Sequence, residues 1–276
     1  MSTIKSHALE HTTPIIGYHR APLSQKFGAP RQPNLVALSS VIEMIAPYDN
    51  PAAFDGLEAF SHIWLSWQFH HNFKPKHASN AQAQSSAAST FRAQVRPPRL
   101  GGNQKIGVFA SRSMYRPSNL GLSVVKLERI EVVENRVLLM ISGADMIDGT
   151  PIIDIKPYVA YSDAYNEAIS GFAPTEPKLL VVKVTDIAQD QFEKMMNSDS
   201  LDEKATPTLT ATVNEVQQQL IAADMNYIKA LIAQDPRPAY RRDELNSCFV
   251  MRYKSVDVSF SQITLGELQI TLITKV

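Results

Sequence analysis

Ser123-Val124-Val125-Lys126-Leu127-Glu128-Arg129-Ile130, followed by Arg136-Val137-Leu138-Leu139-Met140-Ile141-Ser142, decides the fold class. Both stretches are dense in Val, Ile and Leu and read as strands. Upstream, the same density recurs at residues 14–18, 35–38, 41–45 and 106–110, and in the apolar, aromatic run 60–69. Gly and Pro are frequent between these runs, and no helix-length period appears before about residue 160, which favours many short strands over βαβ units. Residues 14–162 therefore read as a mostly β, barrel-like domain built on a single sheet.

The composition changes after Tyr158. Residues 163–178, with Gly171, Pro174 and Pro177, read as a linker. Residues 179–184 are a strand candidate, and Asp186 as N-cap predicts a helix over 187–196. Val216, Leu220, Met225, Ile228, Leu231 and Ile232 recur at three to four residues, predicting one helix over 213–233 that Pro236 and Pro238 stop. Residues 248–253, 256–260 and 267–273 alternate like strands. Residues 179–276 thus read as a smaller α+β domain, and no internal repeat is visible.

The chain has 276 residues, 44% of them hydrophobic, enough for a packed core in one large or two small domains. No run approaches the ~18–20 apolar residues that span a bilayer, and the first twenty residues lack the apolar core of a secretory signal. No membrane partner is expected, and a cytoplasmic location fits. The lone cysteine, Cys248, excludes an intramolecular disulfide framework and a cysteine zinc site; its apolar neighbours predict a buried, inert thiol. Residues 1–13 are polar and expected to fray. Residues 77–90, small and polar, read as a mobile surface loop.

Charge is segregated. The chain balances 27 basic against 27 acidic residues, yet residues 59–127 hold no Asp or Glu and nine Lys or Arg. A neutral protein with such a segment is suited to binding a polyanion locally. Within it, Val95-Arg96-Pro97-Pro98-Arg99-Leu100-Gly101-Gly102-Asn103 combines a stiff backbone, glycines that admit close approach, and two forked guanidinium donors suited to phosphate.

The common phosphate-cradling glycine loops and the Gly-x-Ser-x-Gly elbow are absent. His70-His71, with His62 and His77, does not read as a metal site. Adjacent histidines on a strand face opposite ways, and no carboxylate ligand lies nearby in sequence; one ring is expected in the core and its neighbour in a cleft. Asp145, Asp148 and Asp154 crowd a short span beside Lys156, around the Asp148-Gly149 turn signal. Those carboxylates suit a ribose hydroxyl or an amino group, or simply a turn with an ion pair. In Phe27-Gly28-Ala29-Pro30-Arg31-Gln32-Pro33, prolines flank an Arg-Gln pair on a stiff loop, which is either a ligand loop or a connecting turn.

Together these segments resemble one family, the TrmO (TsaA, YaeB) tRNA methyltransferases. The resemblance rests on Ile16-Gly17 with Arg20 and Pro22, on Lys26-Phe27, on Pro30-Arg31-Gln32-Pro33, and on Gly56 to Leu65. It is strongest at Val95 to Asn103, Gly107 to Ser113 and Arg116-Pro117, and ends in Asp148-Gly149-Thr150-Pro151, Asp154 to Tyr158 and Gln234 to Tyr240.

The resemblance implies an S-adenosylmethionine-dependent β-barrel methyltransferase, dimeric, with a small C-terminal domain. It implies N6-methylation of N6-threonylcarbamoyladenosine beside the tRNA anticodon. Its cofactor contacts carry over to Pro30, Arg31, Gln32, His70, His71, Arg112, Leu122, Met146, Ile147, Asp148 and Gly149. Arg92, Arg96, Arg99, Lys105 and Arg116, with Lys156, are expected to hold anticodon-loop phosphates. Asp148, Asp145 or solvent is the candidate base. Arg237, Arg241 and Arg242 read equally as an extension of that RNA surface or as a solvated charge cluster. Two departures stand out: Ser118-Asn119 replaces the family's Asn-Pro, and His71 stands where Gln is usual. The competing readings are an RNA-binding relative that has lost catalysis and a methyltransferase for another nucleotide or small molecule.

Overall fold

The computed structural model describes residues 11–70, 91–198 and 208–276. The expected loop at 77–90 and His71 lie outside these residues. In chain order the strands of the first half are β1 (Gly17–Arg20), β2 (Ser39–Met44), β3 (His62–Gln68), β4 (Gln94–Val95), β5 (Ile106–Gly107), β6 (Leu120–Val133), β7 (Arg136–Ser142) and β8 (Pro151–Pro157). Six of them close a barrel in the order β1-β2-β7-β6-β3-β8, with Gly17 opposite Ile152 where β8 meets β1. Every ladder in it is antiparallel. Closure removes the sheet edges that would otherwise invite pairing with another chain.

The two stretches that carried the fold reading form β6 and β7. They turn through Glu134 and Asn135, at φ 51° and 63°, between the paired residues Val133 and Arg136. Two successive left-handed residues are what a tight hairpin matching the strand twist requires. Along β3, Ile63, Leu65 and Trp67 face inward, and with Ile42, Val125, Leu139 and Ile141 they fill the barrel. Residues 35–38, expected as a strand, pair with none. Val36 and Leu38 instead turn away from the barrel into the second core.

The second half holds α1 (Ala160–Asp163), β9 (Val181–Val184), α2 (Asp186–Ser198), α3 (Leu209–Gln217), α4 (Asp224–Ala233), β10 (Phe249–Tyr253), β11 (Val256–Thr264) and β12 (Glu267–Lys275). Its sheet runs β10-β11-β12-β9, with β9 parallel to β12. The expected helix over 213–233 is two helices. Thr208 caps the first, its Oγ1 accepting from Ala211 N at 3.1 Å. The chain leaves helical geometry at Gln218, and buried Asp224 restarts it, accepting from Ile221 N at 2.8 Å. Asp224 also holds the Tyr253 hydroxyl and the Lys254 ammonium, so its burial is compensated. Thr185, not Asp186, caps α2, accepting from Ala188 N. Cys248 is exposed rather than buried: it precedes β10, where the inward position belongs to Phe249. Among the described residues, no helix is long and apolar enough to cross a membrane.

One feature of this packing positions the site. Leu23, Val36 and Leu38 belong to the C-terminal core, alongside Ile228, Met251 and Phe260. Lys254 N donates to Pro22 O at 2.7 Å and Gln234 Nε2 to Leu35 O at 3.3 Å. Gly28 meets Met251 so closely that a Cβ there would lie 2.4 Å from its sulfur. The segment between β1 and β2, which carries Arg31 and Gln32, is therefore moulded against the C-terminal region.

Candidate functional site

The chain leaves β7 through Gly143, at φ 83°, and a Cβ there would stand 2.4 Å from Asn34 Oδ1. Only glycine fits both the backbone angle and that approach. Asn34 is fixed at two further points: its amide N donates to Gly143 O at 2.8 Å, and its Nδ2 donates to Val124 O at 3.0 Å. The 31–34 loop is thereby tied to β6 and to the loop after β7. Arg112 reaches the same loop, Nη1 donating to Gln32 Oε1 at 2.5 Å, although 80 residues separate them in sequence.

Asp145 lies within reach of the Arg112 charge. Ser123 Oγ donates to its Oδ1 at 2.6 Å, and the Trp67 indole donates to Ser123 Oγ at 3.0 Å. Burial raises the Asp145 pKa, against the opposing pull of the Ser123 hydrogen bond and the Arg112 charge. Trp67 itself stacks edge-on to Phe69 at 4.4 Å. It lies against Gly121, where a Cβ would stand 2.2 Å from the indole ring. Asn119, at φ 53°, sets the preceding turn, and its carbonyl accepts from Phe69 N.

Asp148 plays a different part. Its Oδ1 accepts from Ala21 N at 3.0 Å and from Gln217 Nε2 at 2.6 Å, and its own N–H donates to Leu23 O. One carboxylate oxygen thus ties the 146–149 loop to the barrel and to α3. Met146 and Ile147 bury their side chains, so a ligand here meets their main chain. His70 stands over this loop, its Nε2 3.8 Å from where a Gly149 Cβ would be. Leu122 is 58% exposed, one residue from inward-facing Ser123.

The sequence reading missed the support beneath the loop. His19 is fully enclosed, and its Nδ1 contacts Ile147 O at 3.2 Å. A carbonyl only accepts, so the proton sits on Nδ1, leaving Nε2 buried with no partner among the described residues. Burial lowers its pKa from 6.5 to about 4. The inward alternation of β1 is the signal that marks His19. The same alternation marks Trp67 on β3 and Ser123 on β6 as inward-facing, whereas Asn34 and Gln217 carried no comparable signal.

The basic residues of the acid-free stretch sit in different settings. Arg92 stacks on Tyr115 at 4.1 Å, next to exposed Phe91 and Phe109. Arg96 and Lys105 are exposed, while Arg99 bonds the Thr175 carbonyl. Arg116 is half-buried in the turn before β6. Lys156 lies on β8 opposite Trp64 of β3, whose other partner is Val124 on β6. Arg237 corrects an expectation. It is 1% exposed, clamped to Asp235 and Gln262, and so belongs to the core rather than to an RNA surface.

Comparison with known proteins gives the same picture. The family model described as the tRNA-methyltransferase O N-terminal domain matches residues 18–164, and the TrmO C-terminal domain matches residues 179–276. A tRNA (adenine(37)-N6)-methyltransferase of Escherichia coli is 36% identical over 231 residues, 83% of each chain. A protein of Methanothermobacter thermautotrophicus named "Probable S-adenosyl-L-methionine-binding protein" is 32% identical over 143 residues, 52% of this chain and 86% of that one. The crystal structure of TrmO from Pseudomonas aeruginosa superposes with a TM-score of 0.68 at 29% identity, covering 99% of this chain and all of that one.

Proposed function

The chain belongs to the tRNA-methyltransferase O family, and from that premise we propose that it methylates N6 of N6-threonylcarbamoyladenosine beside the tRNA anticodon. It is an S-adenosylmethionine-dependent tRNA methyltransferase. The observation that carries the reading is that Arg112, from the acid-free basic stretch, bonds Gln32 and acts by its charge on Asp145, so three distant segments are linked.

The donor set suits the cofactor. Arg31 and Arg112 match its carboxylate, the main chain of 146–149 with Asp148 and Gly149 matches its amino and adenine edges, and Leu122 offers an apolar face. Pro30, Gln32, His70 and His71 complete the assigned set. When bound, S-adenosylmethionine supplies an electrophilic methyl group. N6 must lose a proton as it gains that methyl, and Asp145 is the residue assigned to take it. A carboxylate whose pKa burial has raised is a better base than one in water. Holding the acceptor in line with the methyl supplies much of the remaining rate.

Arg92, Arg96, Arg99, Lys105, Arg116 and Lys156 are assigned to phosphates of the anticodon loop. The working form is a homodimer in the cytoplasm, with domain limits at 14–162 and 179–276 around a linker. The test is transfer of labelled methyl from S-adenosylmethionine to tRNA with and without the threonylcarbamoyl group. Label confined to the modified tRNA is expected; equal labelling of both overturns the assigned substrate.

A further inference from the structure

We propose that the C-terminal region forms the rear wall of the cofactor site, with Gln217 and the Asp235 carbonyl as its positioning groups. This rests on the cofactor residues assigned above. Two of them, Asp148 and Arg31, are held by that region. Gln217, the last residue of α3, donates from Nε2 to Asp148 Oδ1 at 2.6 Å. Arg31 Nη2 donates to Asp235 O at 3.3 Å. Each of these bonds spans a long stretch of sequence, so each exists only when the C-terminal region is docked.

Both arms are themselves fixed. Asp235 sits at φ 51°, and its side chain is gripped by Arg237 Nε at 2.8 Å and Arg242 Nε at 3.1 Å. Arg237 is in turn bonded to Gln262 on β11. The carbonyl that meets Arg31 is thus aimed by a buried network rather than by a free loop. On the other side α3 packs on β1 and β2, which bracket the 21–38 segment. The Ala21 N–H shares Asp148 Oδ1 with Gln217, so the same oxygen joins the barrel, the cofactor loop and the C-terminal region. Removing the Gln217 amide leaves the barrel bonds of Asp148 in place and frees the loop on one side.

The test is calorimetric binding of S-adenosylmethionine to the full chain and two variants. Gln217→Ala is expected to weaken binding about 10-fold, the lower end of what one hydrogen bond to a charged group is worth, because the bond acts through Asp148. Gln217→Glu keeps the side-chain size but opposes two carboxylates, and it is expected to bind more weakly still. Exposed Glu215 on the same helix supplies the control: Glu215→Ala keeps wild-type affinity. A purely structural role for Gln217 would make Gln217→Glu the milder change, and that order overturns the proposal, as does wild-type affinity in both variants. Failure of the wild-type chain to bind the cofactor overturns the underlying site assignment, and the rear wall with it.

Discussion

Ser123 passes its hydroxyl proton toward Asp145 at 2.6 Å while accepting from the Trp67 indole at 3.0 Å, so a core tryptophan fixes the rotamer of a site carboxylate. The hydrogen bonds run from the barrel interior to the edge of the site. They leave Asp145 with one oxygen committed and its charge partly desolvated.

The raised pKa of Asp145 has a defined sign. The folded protein holds this proton more tightly than the unfolded chain, so stability falls as pH rises through the carboxylate range and the cost persists at neutral pH. Asp145→Asn, which keeps an oxygen for Ser123, is expected to raise the melting temperature at pH 7, with the gain vanishing below the ordinary Asp value. The same variant is expected to lower the rate of methyl transfer about 100-fold or more. A stable variant of unchanged rate would take Asp145 out of the chemistry.

His19 makes the opposite prediction. Its pKa falls to about 4, so the unfolded chain takes up a proton that the fold refuses. The contribution is complete above about pH 6.5 and disappears as pH falls toward 4; a shift of this size is worth about 3 kcal/mol. His19→Asn keeps a donor for the Ile147 carbonyl but cannot titrate. Urea midpoints measured from pH 4 to 7 are expected to fall steeply at the acid end in the wild type and to flatten in the variant.

Gly121→Ala tests the packing beneath Trp67. The added methyl would meet indole atoms at 2.2 to 2.6 Å. The ring cannot retreat without giving up Ser123, so the cost is expected near 3 kcal/mol. Denaturation followed by tryptophan emission reads the effect, and an unchanged midpoint would mean that β6 shifts to make room.

What the sequence disclosed follows from what local pattern can encode. The β6 and β7 stretches alternate, and their hairpin needs only two left-handed residues, so both strands were legible. The apolar residues at 35–38 have the same composition, but Val36 and Leu38 satisfy a core formed much later in the chain. The helical period from 213 to 233 persists across a break because Leu220 within it and Met225 just after it stay buried; the break comes from Asp224, whose partners Tyr253 and Lys254 no local window contains. At the site, Asp145 and Asp148 look alike in sequence. Ser123 and Gln217 distinguish them, and both arrive by tertiary packing.

The basic face is tested by its salt dependence. Arg96 and Lys105 are exposed, lie within the acid-free segment and are not among the residues assigned to the cofactor. Removing one phosphate-binding cation reduces the slope of log affinity against log salt by about 0.7 to 0.9. Arg96→Ala with Lys105→Ala is therefore expected to flatten the slope for tRNA by about 1.5, twice that single-site value, and to leave S-adenosylmethionine affinity unchanged. Lys156, the one assigned cation outside that segment, is tested in the same way: Lys156→Ala is expected to flatten the slope by about 0.7 to 0.9. If Lys156→Ala flattens the slope and the double variant does not, the RNA runs along β8 rather than across the 92–116 surface.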